Sequence, residues 1–222
     1  MSEERWAAVD RYAADLLVPS DPVLDAALAA NAAAGLPAHD VSPAQGRLLE
    51  LLARMRGARR ILEIGTLGAY STIWLARGLA AGGRVVTLER EARYAEVAVA
   101  NLARAGVDGV VDVRVGPALE TLPLLAADHG EPFDLVFVDA DKQQSVEYAR
   151  WALRLTGRGG LVVFDNVVRG GALADADSDD PRVRGVRGLH EELASAPGVC
   201  ATTIQTVGVK GYDGFTLALV TG

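Results

Sequence analysis

Short apolar runs alternate with longer amphipathic stretches over most of the chain, beginning at residue 60. The runs have the continuous hydrophobic character of buried parallel strands, whereas the stretches between them repeat apolar residues at helical spacing. We predict strands near 60–64, 84–89, 110–115, 134–138 and 159–164, separated by helices near 70–80, 91–105, 117–128 and 143–156. This alternation is typical of an α/β fold with a doubly wound, mostly parallel sheet.

The N-terminal part of the chain is helical in pattern. Apolar residues at helical spacing predict an amphipathic helix over 5–17. The pairs Asp21-Pro22 and Ser42-Pro43 each join a capping residue to a proline suited to the first helical turn, so each pair predicts the start of another helix. We therefore expect a single domain, with residues 1–57 as a helical cap and residues 58–222 as the α/β core.

The C-terminal part adds two further strands to this plan. A helix that ends near residue 196 is followed by two β-rich runs, 199–207 and 215–220. The turn-rich segment 208–214 lies between them, and we expect the two runs to pair antiparallel at the edge of the sheet.

Composition narrows the class of protein. The 222 residues are 50% hydrophobic, enough for one sizeable core, and no apolar run approaches the roughly 18 residues of a membrane span. The first residues lack the basic and apolar segments of a secretory signal, and Cys200 is the single cysteine, so we expect a reducing cytoplasm and an inert thiol packed in the core. A net charge of −7 without a basic stripe argues against nucleic acid.

A glycine turn follows the first predicted strand, at Gly65-Thr-Leu-Gly68, and the next helix begins near residue 70. Small residues let a ligand approach the backbone there, and a helix start offers unpaired N–H groups. The turn lacks the glycine pattern that binds a pyrophosphate, which favours a nucleoside without phosphates. S-adenosylmethionine is one such nucleoside, and Glu63, the turn amides and Ser71 could bind its amino-acid end.

Glu89 closes the second predicted strand, about 24 residues after Gly65. A carboxylate at that strand end can accept hydrogen bonds from both hydroxyls of a ribose. The alternative interpretation is a glutamate that is only solvated at the end of its strand.

Acidic and amide side chains end the fourth and fifth predicted strands. Asp139 follows Val136-Phe-Val138, and Asp165-Asn166 follow Leu161-Val-Val-Phe164. Neighbouring parallel strands are less than about 5 Å apart, so these oxygen ligands could converge on one hard cation, with magnesium favoured and calcium or manganese as alternatives. The competing interpretation is that these residues cap the following helices.

Lys142 lies three residues beyond Asp139, where it can point back over the predicted cation. A nearby cation favours the neutral form of a lysine, so Lys142 is the candidate base that takes a proton from a substrate hydroxyl. The alternative is a solvated surface lysine. A nucleotide-dependent oxidoreductase, a non-catalytic cation-binding domain and a metal-free methyltransferase also stay open from these residues alone.

Five motifs together resemble those of the cation-dependent O-methyltransferases of the caffeoyl-CoA and catechol type, especially the small bacterial members. They are Leu62-Glu-Ile-Gly-Thr-Leu-Gly-Ala-Tyr-Ser71, Glu89, Val138-Asp-Ala-Asp-Lys142, Asp165-Asn-Val-Val-Arg-Gly-Gly171 and Val209-Lys-Gly-Tyr-Asp-Gly-Phe215. The resemblance implies a seven-stranded sheet with an antiparallel last strand, a homodimer, and a vicinal dihydroxy aromatic as the small-molecule substrate.

The resemblance also implies roles for single residues. Lys142 matches the catalytic base of the family. The positions that match its metal ligands are Asp139, Asp165 and Asn166, and those that match its cofactor contacts are Val41, Glu63, Gly65, Ser71, Glu89, Ala118, Asp139 and Asp141. Pro117 and the pair Gln143-Gln144 depart from the family pattern, so the adenine-side and substrate contacts are expected to differ.

Overall fold

The computed structural model describes residues 2–128 and 130–222, and these form a sheet with helices on both faces. The helices are α1 (Glu3–Leu17), α2 (Pro22–Ala33), α3 (Pro43–Arg56), α4 (Tyr70–Gly78), α5 (Ala92–Ala105), α6 (Ala118–Ala127), α7 (Ser145–Leu155) and α8 (Pro181–Ser195). The strands are β1 (Arg60–Ile64), β2 (Arg84–Glu89), β3 (Val111–Val115), β4 (Phe133–Val138), β5 (Thr156–Asp165), β6 (Val199–Gly208) and β7 (Gly211–Val220). These bounds confirm the predicted alternation to within a few residues.

The seven strands lie in the order β3-β2-β1-β4-β5-β7-β6. Pairing is parallel from β3 to β5, whereas β7 pairs antiparallel with both β5 and β6. The sheet is therefore doubly wound and mostly parallel, with an antiparallel last strand, as predicted. The strand order reverses direction between β1 and β4, and ligands of such sheets bind beyond the carboxyl ends of the strands at this point.

Alternate residues of the central strands feed two separate apolar layers. Ile61 and Phe137 pack on one face of the sheet with helices α2 to α5, whereas Leu62 and Val136 pack on the other with α6 to α8. Since successive side chains of a strand point to opposite faces, a strand buried on both sides reads as one continuous apolar run. This is why the central strands could be predicted directly from the sequence.

The C-terminal hairpin differs from the prediction in two respects. Its connector is only the pair Val209-Lys210, because Gly208 and Gly211 already pair across the two strands. Both strands of the hairpin were expected at the edge of the sheet, but only β6 forms the edge, because β7 lies between β5 and β6. Cys200 on β6 is exposed, so the prediction of core packing for this thiol was wrong.

The cap begins with α1, which has no buried residue although its pattern is amphipathic. Two of its apolar side chains, Tyr12 and Leu16, are 71% and 64% exposed. Among the described residues, every helix is too short or too polar to cross a membrane.

A serine precedes both α1 and α3, but only the serine before α3 makes a side-chain capping hydrogen bond. The Ser42 hydroxyl accepts a hydrogen bond from the Gln45 amide at 3.2 Å, whereas Ser2, at the equivalent position of α1, makes no side-chain capping bond. The two serines therefore form a matched pair for measuring what the cap of α3 contributes.

We expect Ser42→Ala to lower the free energy of unfolding by about 1 kcal/mol, the usual contribution of a capping hydroxyl. Ser2→Ala should lower it by a few tenths at most, since no hydrogen bond is lost. Urea denaturation followed by circular dichroism measures both values, and equal losses in the two variants would contradict the assignment of the cap.

Candidate functional site

A cleft of about 1040 Å³ opens at the carboxyl ends of the central strands. The segment 37–45 and the tip of the β6–β7 hairpin form its outer wall. Its lining includes nearly all of the residues that the sequence singled out, namely Val41, Ser42, Gly65, Ser71, Glu89, Ala118, Asp139, Asp141, Lys142, Asp165 and Asn166. Residues spread over more than a hundred positions of the chain thus meet in one place.

The glycine turn crosses the floor of this cleft. Gly65 has a φ of 101°, and a Cβ built on it would lie 2.1 Å from the carbonyl oxygen of Asp139. Only glycine allows β1 to leave the sheet so close to β4. Leu67 and Ala69 also adopt left-handed φ values, of 50° and 68°, which are uncommon for residues with a side chain.

The carboxylate of Glu89 holds this turn in place. Its Oε2 accepts hydrogen bonds from the Leu67 amide at 2.8 Å and the Thr66 amide at 3.3 Å, and its Oε1 accepts one from the Glu91 amide at 2.9 Å. Glu89 is therefore more than a solvated strand end, because it is buried and organises the backbone around the cleft. It also lines the cleft, where Oε1, with one amide partner, can accept a further hydrogen bond.

Glu63 lies beneath the cleft rather than on its surface. It is fully buried, and hydroxyls from Ser71, Thr72 and Thr87 donate hydrogen bonds to its carboxyl group. Burial raises the pKa of Glu63 to about 7, against the opposing effect of those three donors. Glu63 does not line the cleft, whereas its hydrogen-bond partner Ser71 does, so a direct contact between Glu63 and a cofactor stays a prediction.

The acidic ends of β4 and β5 lie side by side. Val138 pairs with Phe164, so the next residues along the two strands, Asp139 and Asp165, are neighbours. Lys142 donates a hydrogen bond from Nζ to Oδ1 of Asp139 at 2.8 Å, and the pair is mostly buried. Lys142 therefore points back over the strand ends and is not a solvated surface lysine.

Asp165 is the least compensated carboxyl group of this cluster. It is 5% exposed, and its Oδ1 accepts a hydrogen bond from the Asn166 amide at 2.8 Å. Burial and the neighbouring charge of Asp139 together raise the pKa of Asp165 to about 7, against the opposing charge of Lys142. A buried carboxyl group in this situation is stabilised by any additional positive charge.

The donor set at these strand ends fits a hard divalent cation. Among the described residues, no three His, Cys, Asp or Glu side chains come together as a metal cluster. The oxygen donors that line the cleft at these strand ends are the carboxylates of Asp139 and Asp165 and the amide of Asn166. The third member of this set, Asn166, adopts a left-handed φ of 51° beside Asp165, a strained conformation of the kind that gathers at functional sites. Oxygen ligands of this kind suit magnesium, calcium or manganese better than zinc.

Three residues of the site escaped the sequence analysis. The Tyr148 hydroxyl donates a hydrogen bond to Oδ2 of Asp141 at 2.8 Å, the Gln45 side chain lies beside Asp165 and counteracts the rise of its pKa, and Oδ1 of Asp213 accepts from the Val168 and Arg169 amides. Tyr148 looks like an ordinary core aromatic of α7, and Gln45 like a polar helix residue. Only Asp213, inside the quoted motif 209–215, carried a signal in the sequence.

Comparison with known proteins places this geometry in a family. The sequence profile of the O-methyltransferase family matches residues 19–220. A catechol O-methyltransferase of Mycobacterium tuberculosis is 57% identical over 212 residues, which are 96% of this chain and 94% of that protein.

Solved structures agree with this match. The O-methyltransferase from Bacillus cereus in complex with SAH superimposes with a TM-score of 0.98 at 54% identity, covering 99% of this chain and 100% of that one. TomG from Streptomyces achromogenes, an O-methyltransferase involved in tomaymycin synthesis and solved in complex with SAM, gives a TM-score of 0.96 at 56% identity, with both chains covered completely. The resemblance seen in the motifs is thereby confirmed, and the chain belongs to the O-methyltransferase family.

Proposed function

We propose that the protein transfers a methyl group from S-adenosylmethionine (SAM) to one hydroxyl of a vicinal dihydroxy aromatic, with the help of a divalent cation. The observation that carries the proposal is the meeting of Asp139, Asp165, Asn166 and Lys142 at one end of the nucleoside cleft in a member of this family. Family membership favours methyl transfer to oxygen over the oxidoreductase and the non-catalytic cation-binding domain.

The cofactor would occupy the part of the cleft around the glycine turn. Glu89 would bind the ribose through Oε1, which keeps a free lone pair, and the Ser71 hydroxyl, whose hydrogen points to Glu63, would accept from the cofactor's ammonium group. Val41, Gly65, Ala118 and Asp141 line the same region. Two relatives solved with SAH and SAM support this choice of ligand.

The cation would be held by Asp139, Asp165 and Asn166, with magnesium as the favoured ion. A divalent cation held there would supply Lewis-acid chemistry that lowers the pKa of an acceptor hydroxyl. Lys142 contacts Asp139, one of the proposed ligands, and therefore lies beside this site.

Lys142 would then act as the general base. Its Nζ takes the proton from the acceptor hydroxyl, so that the new O–CH3 bond forms as the sulfonium's S–CH3 bond breaks and the leaving thioether becomes neutral. Opposite charges neutralise one another in this step, which a cleft poor in water favours. The walls of the cleft contribute by holding both reactants in line.

A second copy of the chain is the occupant we propose for the exposed apolar face of the cap. Tyr12 and Leu16 of α1 lie three and seven positions after Val9, hence on one side of the helix, and Met55 of α3 is 80% exposed. Helix α1 contacts α3 and the edge strand β6, so the apolar face extends across the three elements. A contiguous exposed apolar face often marks an interface, and a homodimer is what the family resemblance implies.

The first test is methyl transfer itself. With labelled SAM and a panel of catechols, caffeoyl-CoA and monophenols, we expect product from the vicinal diols only, and loss of product when EDTA removes the cation. Asp165→Ala should reduce kcat/KM by at least about 100-fold, the scale on which metal sites depend on their ligands, while calorimetry shows binding of S-adenosylhomocysteine (SAH) within about threefold of wild type. Asp108→Ala, which removes an exposed carboxylate, is the control. Full activity in EDTA would refute the role of the cation.

A second test concerns the buried Glu63. Its pKa rises from 4.5 to about 7 on folding, so the folded protein binds this proton more tightly and loses stability as pH rises through that interval. We therefore compare the free energy of unfolding of Glu63→Gln with that of the wild type. The difference, variant minus wild type, should rise by on the order of 3 kcal/mol between pH 4 and pH 8. Urea denaturation across this range measures the difference. Glu96→Gln, at an exposed site, should show a constant difference, and a constant difference for Glu63→Gln would contradict the buried titration.

The third test addresses the apolar face of the cap. Tyr12→Asp and Leu16→Asp place a charge on that face, so we expect each to convert a dimer into a monomer because a buried unpaired charge is costly. Light scattering after size-exclusion chromatography measures the mass. Leu124→Asp, at an equally exposed leucine of α6, should leave the dimer intact. A monomeric wild-type protein would refute the proposed homodimer.

A further inference from the structure

A chain of buried amide hydrogen bonds links the glycine turn to the outer wall of the cleft. Nδ2 of Asn101 donates to the Gly68 carbonyl at 2.9 Å and to Oδ1 of Asn31 at 3.0 Å. Nδ2 of Asn31 in turn donates to Oδ1 of Asp40 at 2.8 Å. The two asparagines are 1% and 2% exposed, on α5 and α2, so the connection runs through the interior of the protein.

The turn end of this chain is closely packed. A Cβ built on Gly68 would lie 1.8 Å from Oδ1 of Asn31, so the amide occupies the space that a side chain would need. The flanking residues Leu67 and Ala69 adopt the left-handed φ values described above, and such conformations persist only where the surroundings hold them. The asparagine pair supports the turn at Gly68, whereas Glu89 supports it at the Thr66 and Leu67 amides.

The other end of the chain is the wall segment. Asp40 lines the cleft and immediately precedes Val41 and Ser42, which face the same space. The segment is also held from outside, because Nζ of Lys210 in the hairpin donates a hydrogen bond to the Ala38 carbonyl at 3.2 Å. The wall segment is thus attached at two points, through Asp40 to Asn31 and through Ala38 to Lys210.

We propose that Asn31 is a positioning residue, whose amide joins the glycine turn to the wall segment 37–42 so that the two sides of the nucleoside cleft keep a fixed separation. This inference rests on the proposed function, since it assumes that the cofactor binds between them. Asn31 suits the task because its amide is at once an acceptor for Asn101 and a donor for Asp40. Each bond of a buried polar network depends on its neighbours, so one mismatch loosens both ends.

A purely structural role makes a different prediction. If the asparagines only fill the interface between α2 and α5, their loss lowers stability without a specific effect on the cofactor. If Asn31 positions the cleft, its loss weakens the cofactor's binding in a way that restoring the donor–acceptor pattern reverses.

The test exchanges the two partners. Asn31→Asp at pH 8 places two carboxylates face to face, so we expect the dissociation constant for SAH, measured by calorimetry, to rise at least about tenfold. In the Asp40→Asn background the same substitution restores a donor opposite an acceptor, and the constant should change by less than about threefold. Lowering the pH to 6 should recover part of the affinity of Asn31→Asp alone, because one of the facing carboxyl groups takes up a proton.

Kinetics give an independent measure. For Asn31→Asp, KM for SAM should rise about tenfold while kcat and KM for the acceptor stay within about threefold.

Leu193→Ala removes a buried side chain of α8 on the other face of the sheet, and this control should lower the melting temperature without changing the SAH dissociation constant by more than twofold. If Asn31→Asp does not fold, Asn31→Ser, whose single hydroxyl cannot span both partners, should show the same tenfold loss.

The outcomes separate the two proposals. A wild-type protein that does not bind SAH would refute the proposed function. A wild-type protein that binds SAH, together with an Asn31→Asp effect that is absent or equal in both backgrounds, would overturn the positioning role alone.

Discussion

Three buried acidic side chains and one half-buried one, at the carboxyl ends of neighbouring strands, are the constraint around which this protein is built. A buried carboxylate is tolerated only when hydrogen bonds or an opposite charge compensate it. Glu63 receives three hydroxyls, Glu89 receives three backbone amides, and Asp139 receives the ammonium group of Lys142. Among the described residues, Asp165 accepts no hydrogen bond from a cationic group, which is why we propose the strand ends of β4 and β5 as the place for a cation.

Each compensation also shapes the site. Two of the three amides that satisfy Glu89 belong to the glycine turn, so the same bonds that stabilise the charge set the floor of the cleft. The hydroxyls that satisfy Glu63 include that of Ser71, whose orientation is thereby fixed toward the core, leaving its lone pairs for the cleft. The network through Asn31 and Asn101 extends this arrangement to the outer wall. Stability and ligand geometry therefore depend on the same groups.

The strand pattern was predictable because buried parallel strands are apolar on both faces, and the starts of α2 and α3 because a capping residue precedes a proline. The side chains that interact across the fold were not. Glu63 and Ser71 were both singled out, yet nothing in their spacing tells that one lies beneath the other. Cys200 illustrates the opposite error, since an apolar-looking strand placed at the sheet edge leaves this thiol exposed.

The sequence by itself determined the alternation of strands and helices, the type of the first glycine turn and the acidic ends of β2, β4 and β5, because these depend on residue type and local periodicity. The resemblance of five motifs added the family. Only the tertiary structure decided that β7 lies between β5 and β6, that Tyr148 meets Asp141 and Gln45 faces Asp165, and that Asn31 bridges the turn and the wall. Such contacts join residues far apart in the chain, and strand order and helix packing, rather than local spacing, bring them together.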